Sequence, residues 1–309
     1  MTQTEVEGRT DSDFYSHGTR CSGWLYRPGG IERPPIVIMA HGFAAEKTFR
    51  LPAYAERFVQ EGIAVFIFDY RCFGDSDGQP RNLVSPRRHV QDWKAAIAHV
   101  RTLPDIDQNR IALWGTSFGG GHAIVAAAKD QHIMVVTSQV PYVDPYSSFR
   151  VHGLGDIARG WLAGLRDVIR MLTFRSPYCI PVVGDPGTLA VLNAPGAKEG
   201  YEAIVPEGSS WRNECPARIF FTGSLYRPIK VAKRVNCPTL IVMAEEDTLI
   251  SPRSLERTAA RMLNARLVRM PLGHFDVYSG EGFERVVEVK AAFLREHLVD
   301  SKLPSAFSP

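Results

Sequence analysis

Two kinds of hydrophobic spacing alternate along this chain of 309 residues. Short runs in which nearly every position is apolar recur at 35–40, 63–68, 110–114, 133–138, 239–243 and 266–270. Unbroken runs of this length predict strands covered on both faces, as in a parallel sheet. Between them, apolar residues return every three or four positions. Over 51–61, Leu51, Tyr54, Ala55, Phe58 and Val59 share one helical face, and Gly62 supplies the stop. Further helices are predicted over 86–103, 120–129 and 283–298, and two opening strands over 4–8 and 20–26 around a turn at Ser16, His17 and Gly18. Strands alternating with helices specify an α/β class with a mostly parallel sheet flanked by helices.

The alternation breaks over roughly 141–233, where prolines and glycines crowd together and one helix stands out at 155–173. Its apolar residues Ile157, Trp161, Leu165, Val168, Ile169 and Leu172 lie along one face. Such a stretch between two core strands reads as an insertion, and one that leaves the C-terminal edge of the sheet covers that edge as a lid. The expected organisation is a core of 1–140 and 234–300, an inserted lid or cap over 141–233 and a loose tail over 301–309.

Chemistry concentrates at Gly115-Thr116-Ser117-Phe118-Gly119, between the run 110–114 and the helix-like run that follows. A serine at the apex of a strand–turn–helix projects its hydroxyl clear of the sheet, and glycines beside it relieve the crowding of the turn. The helix N-terminus then offers free N–H groups next to the hydroxyl. A serine is a poor nucleophile without a base, and the base needs a third group to orient it. His274, in the loop after 266–270, is the best placed of the nine histidines. For the third group Glu245, Glu246 and Asp247 compete in the loop after 239–243, with Asp247 preferred and Glu246 second. An oxyanion formed during acyl transfer requires preorganised donors, and the N–H groups of Phe118 and of Phe43, in His41-Gly42-Phe43, are the candidates. His41, Tyr142 and Trp161 are the candidates for contact with substrate. The insertion's aromatics (Tyr142, Tyr146, Phe149, Trp161, Phe174, Tyr178, Trp211) either line an apolar acyl pocket or form the lid's own core.

Bulk composition narrows the partners. An apolar fraction of 45%, a charged fraction of 22% and a net charge of +3 are ordinary for a globular protein, and dispersed basic residues leave no nucleic-acid footprint. Five cysteines without C-x-x-C spacing read as free thiols and give no support for a metal site. The polar, acidic start over 1–7, with no apolar run of the ~20 residues a span needs, leads to the expectation of a cytoplasmic protein without a membrane span. No cofactor is required, since neither the G-x-G-x-x-G spacing nor a P-loop lysine occurs after Gly119. The expected partner is a small-molecule acyl substrate, with a homodimer left open.

Four segments carry a family resemblance: His41-Gly42-Phe43, the loop from Asp69 to Gly78, Trp114 to Gly120, and Gly273-His274-Phe275-Asp276. Over about 20–145 and 235–298 the chain resembles an α/β-hydrolase. Within that superfamily it is similar to the members grouped with the Xaa-Pro-dipeptidyl-peptidase-like and polyketide-transferase-type hydrolases. The resemblance implies a catalytic serine, aspartate and histidine at Ser117, Asp247 and His274, and oxyanion donors at Phe43 and Phe118. True dipeptidyl peptidases of that group carry a large extra β-domain for which this chain has no room, so peptidase activity is not expected. The function expected is cleavage of carboxylic ester, lactone or thioester bonds through an acyl-enzyme. The alternative is an acyl or polyketide transferase using the same acyl-enzyme, and a non-catalytic binding module is the third reading.

Overall fold

The computed structural model describes residues 6–145 and 154–300. Positions 4 and 5 of the first expected strand, Tyr146, Phe149 and the tail 301–309 lie outside the described residues.

Eight strands form one sheet: β1 (Val6–Asp11), β4 (Gly23–Pro28), β5 (Ile36–Ala40), β6 (Ala64–Phe68), β7 (Ile111–Thr116), β8 (Val135–Gln139), β11 (Thr239–Ala244) and β12 (Ala265–Met270). Their order across the sheet is β1-β4-β6-β5-β7-β8-β11-β12, with β4 antiparallel to both of its neighbours and the strands from β6 to β12 all parallel. Every residue of β5, β6, β7, β8 and β11 is buried, which accounts for their mostly apolar sequences, with polar exceptions at Thr116, Thr137, Ser138, Gln139 and Thr239. β12, at the edge, is largely half-exposed. Two small antiparallel pairs, β2 (Phe14–Ser16) with β3 (Thr19–Cys21) and β9 (Cys179–Ile180) with β10 (Cys215–Pro216), lie outside this sheet.

The register sorts side chains to two faces. Trp114 meets Tyr54 of α1 (Leu51–Gln60) and Lys290 of the closing helix (Gly280–Leu294) on one face. Phe66 and Phe68, on the opposite pleat, meet Phe14 together with His99 and Trp93 of α2 (Pro86–Val100). The helix α3 spans Ser117–Ala127 and so begins three residues before the expected 120, directly at the end of β7.

Between β8 and β11 the chain carries the helix Leu154–Leu172 and the short helices Ala197–Glu202 and Ile219–Ser224. The face that packs is not the predicted apolar stripe. Gly160, Ala163, Gly164 and Asp167 are buried, while Trp161, Leu165, Ile169 and Leu172 remain exposed. Bulk explains the choice: a Cβ on Gly160 would sit 2.7 Å from the Phe220 ring, so only small residues admit the helix to that contact. The buried Asp167 carboxylate accepts from the backbone N–H of Tyr178 (2.8 Å) and Arg218 (2.9 Å) and from the Arg218 guanidinium (2.6 and 3.0 Å), tying the helix to the chain before β9 and to the start of Ile219–Ser224.

Candidate active site

Where β7 meets α3 the backbone is strained. Ser117 has φ 51°, in the left-handed region that an L-residue occupies only when its surroundings hold it there. The glycines are required by close approach. A Cβ on Gly115 would lie 2.3 Å from the Gly119 carbonyl oxygen, and one on Gly119 would lie 2.3 Å from that of His41.

The loops after β11 and β12 bring the other two groups to this hydroxyl. His274 Nε2 is 3.1 Å from Ser117 Oγ, and His274 Nδ1 is 2.7 Å from Asp247 Oδ2. Asp247 Oδ1 accepts the backbone N–H groups of Leu249 and Ile250, both at 2.8 Å, so one oxygen anchors the carboxylate and the other faces the imidazole. Glu245 and Glu246 point outward and are exposed. Their backbone N–H groups donate to Met270 (2.9 Å) and Leu272 (3.0 Å), extending the pairing of β11 with β12 into the loops and fixing Asp247 against His274. Below the serine, the Thr116 hydroxyl lies 2.5 Å from Tyr278 OH and accepts from Gln139 Nε2 at 3.2 Å, linking the end of β7 to the turn after His274.

Gly42 packs directly on the serine: its Cβ would stand 3.2 Å from Ser117 Cβ. Phe43 meets the Phe118 ring edge-on with centroids 5.5 Å apart. His41 is fully buried, turned toward Tyr70 and Asp69, with Nδ1 3.1 Å from the Gly42 carbonyl. Burial pushes its pKa down to about 4, against the opposing pull of Asp69, so the ring is neutral at pH 7. The contact with Gly42 O places the remaining proton on Nδ1. Asp69 itself accepts from Lys47 N (2.6 Å) and Lys47 Nζ (2.8 Å), which makes the loop 69–78 a structural brace for the turn after β5.

Two cavities adjoin Ser117. The larger, about 140 Å³, is walled by Phe43, Phe118, Tyr142, Ile157, Trp161, the segment Leu189–Leu192, Ile219, Phe220, Leu249 and Ile250. A smaller one, about 20 Å³, lies toward His274 and is lined by Phe49, Tyr201, Ile204 and Phe275. Of the three residues expected to touch substrate, Tyr142 and Trp161 line the larger cavity, whereas His41 is buried and borders only the smaller one. Of the other aromatics, Phe174 is 99% exposed, Tyr178 lies under Arg166, and Trp211 reaches the Ala44 carbonyl. Sequence reading missed the wall from Leu189 to Leu192 and the residues Ile219 and Phe220, which show no periodicity in a stretch dense in proline and glycine. Among the described residues no cluster of three His, Cys, Asp or Glu side chains is arranged to hold a metal, and no helix is long and apolar enough to cross a membrane.

Known proteins share this architecture. The chain is 40% identical over 287 residues to the quorum-quenching protein AidA of Acinetobacter baumannii, covering 92% of this chain and 94% of that one. It is 32% identical to the polyketide transferase af380 of Aspergillus fumigatus, covering 94% and 99%. The solved structure of DcsB with its substrate analogue superposes with a TM-score of 0.84 at 27% identity, covering 94% of this chain and 99% of that one. A model of the alpha/beta hydrolase family matches residues 37–289. With that match, the eight-stranded sheet and its strained serine turn, the chain belongs to the alpha/beta hydrolase family.

Proposed function

We propose that this chain is a serine hydrolase that opens carboxylic ester, lactone or thioester bonds through an acyl-enzyme. Ser117 Oγ attacks the acyl carbonyl while His274 Nε2 takes its proton. Asp247 holds Nδ1–H and stabilises the imidazolium that forms. The carbonyl oxygen becomes an oxyanion that accepts from the N–H groups of Phe43 and Phe118, each contributing on the order of 3 kcal/mol. His274 then passes its proton to the leaving alcohol or thiol, and water, deprotonated by the same imidazole, releases the acid and restores Ser117. The observation that carries this reading is the unbroken hydrogen-bonded chain from Asp247 through His274 to Ser117 beside an apolar cavity. The cavity suits the acyl group, with Tyr142 and Trp161 against it.

Residues 141–233 serve as a cap on a core of 1–140 and 234–300 in this reading. The polyketide-transferase relative supports the branch to which the sequence motifs point, and it favours one second reading, transfer of the same acyl group to an alcohol or amine. Turnover of an acyl donor with and without added acceptor alcohol separates the two. For the mechanism itself, Ser117→Ala is expected to lower turnover of 4-nitrophenyl butyrate by about 10⁵- to 10⁶-fold and to abolish labelling by a fluorophosphonate. A Ser117→Ala variant that keeps wild-type turnover rules the mechanism out.

A further inference from the structure

The turn that carries the Phe43 N–H has no strand partner, yet three successive carbonyls in it are held by side chains. His41 Nδ1 holds Gly42 O at 3.1 Å, the Tyr201 hydroxyl donates to Phe43 O at 2.9 Å, and Trp211 Nε1 donates to Ala44 O at 2.9 Å. A trans peptide points its N–H opposite its C=O, so fixing Gly42 O aims the Phe43 N–H. The next two bonds fall on the peptides either side of the Ala44 Cα. Ala44 has φ 50°, a left-handed conformation that alanine does not keep unaided. Tying the peptide before it and the peptide after it constrains φ and ψ together, and thereby holds the strained turn in place.

Both donors come from far along the chain, and their segment touches the other loops of the site. Tyr201 and Trp211 stack on each other with centroids 5.2 Å apart. Gly200 packs on Phe275, the neighbour of His274, so closely that a Cβ would fall 2.4 Å from the ring. The Thr248 hydroxyl, next to Asp247, donates to Pro195 O at 3.3 Å. Burial raises the Tyr201 phenol well above its usual pKa, so it stays a donor throughout the working pH range.

We infer that residues 195–211 form a brace across the oxyanion, acid and histidine loops, with Tyr201 and Trp211 as positioning residues that set the Phe43 N–H for the oxyanion. The inference rests on the hydrolase reading above. It assigns to the chain between β8 and β11 a part in transition-state stabilisation, in addition to walling the cavity.

The test uses the full chain with Tyr201→Phe and Trp211→Phe, each of which removes one donor and keeps an aromatic ring. With 4-nitrophenyl butyrate, kcat is expected to fall about 10- to 100-fold in each variant while KM stays within about twofold. Affinity for a trifluoromethyl ketone, whose adduct carries the oxyanion, is expected to fall in parallel with kcat. A purely structural role lowers the melting temperature and leaves the ketone affinity tracking KM, which overturns the brace. Should one variant fail to fold, the other carries the same test at the neighbouring carbonyl. An active Ser117→Ala overturns the hydrolase reading and the brace with it; an inactive Ser117→Ala beside unchanged Tyr201→Phe and Trp211→Phe overturns the brace alone.

Discussion

Ser117, Asp247 and His274 stand on loops that leave parallel strands of one sheet, whereas the wall facing them is carried by chain that has almost no ladder of its own. On the sheet side, position follows from backbone pairing: β11 and β12 are in register along their length, and two further backbone bonds carry that register to Asp247 and His274. Between β8 and β11, position follows from side-chain tips that reach backbone groups. Asp167 gathers four bonds, Asn213 holds Val183 through both its N–H and C=O at 2.9 Å, and Tyr201 and Trp211 reach across to the turn after β5. A ladder distributes its stabilisation over many equivalent bonds, while a tether concentrates it in one residue. Single substitutions should therefore act through chemistry on the first region and through stability on the second, except at Tyr201 and Trp211, whose tethers end on the turn after β5 beside Ser117.

The largest expected effect is on the sheet side. Asp247→Asn keeps the size of the side chain and removes the acceptor that selects the Nδ1–H tautomer of His274. Its kcat should fall by about 10⁴-fold, some 5 kcal/mol, with little change in melting temperature. A loss of only a few-fold in steady-state kinetics would mean that another group orients the imidazole.

Next comes the tethered side. Asp167→Ala leaves the Arg218 guanidinium, largely buried, without its partner and is expected to cost about 3–5 kcal/mol. Urea denaturation measures the loss. Limited proteolysis checks its location, since cleavage within 154–234 should precede any cut in the sheet. Equal sensitivity of both regions would erase the contrast drawn above.

A smaller effect separates the regions by pH. His41 and His122 are buried and neutral, and burial pushes their pKa values down to about 4 and about 3. His122 continues the polar line through His89, at 3.2 Å, and Tyr226 OH, at 2.6 Å. An unfolded histidine takes up its proton near pH 6.5, so below that pH the unfolded chain binds more protons. Stability is then lost as pH falls from 6.5 toward 4 for His41 and toward 3 for His122. At pH 4.5 each contributes a loss of roughly 2 to 3 kcal/mol relative to pH 7. Residues 154–234 contain no histidine. Hydrogen exchange should accordingly show amides of α2 and α3 losing protection on acidification before those of the helix Leu154–Leu172.

The same division governs what could be read in advance. Strands β5, β6, β7 and β11 were legible as apolar runs because burial on both faces favours one residue class along them, a reason that does not extend to the half-exposed β12 or to the buried Thr137, Ser138 and Gln139 of β8. Ser117 and His274 were legible because the turn chemistry around them is local. Asp247 was only preferred: three acids in a row satisfy the same loop position, and nothing in the sequence says which carboxylate receives the N–H groups of Leu249 and Ile250. For the helix at 155–173 the period was right and the packed face was not, because Gly160 and Gly164 fit against Phe220 and Phe221, whereas of the apolar stripe Ile157 and Trp161 border the cavity and Leu165, Ile169 and Leu172 stay exposed.

From its sequence alone, then, this protein is an α/β chain with a serine turn, an acid loop and a histidine loop in that order, since periodicity and turn residues are properties of near neighbours. Only the tertiary structure decided which acid faces the imidazole, which residues wall the cavity and what holds Ala44 at a positive φ. At Ala44 a phenol and an indole meet the two flanking carbonyls from 158 and 167 positions away. A contact of that kind has no period, because it is set by where whole loops come to rest.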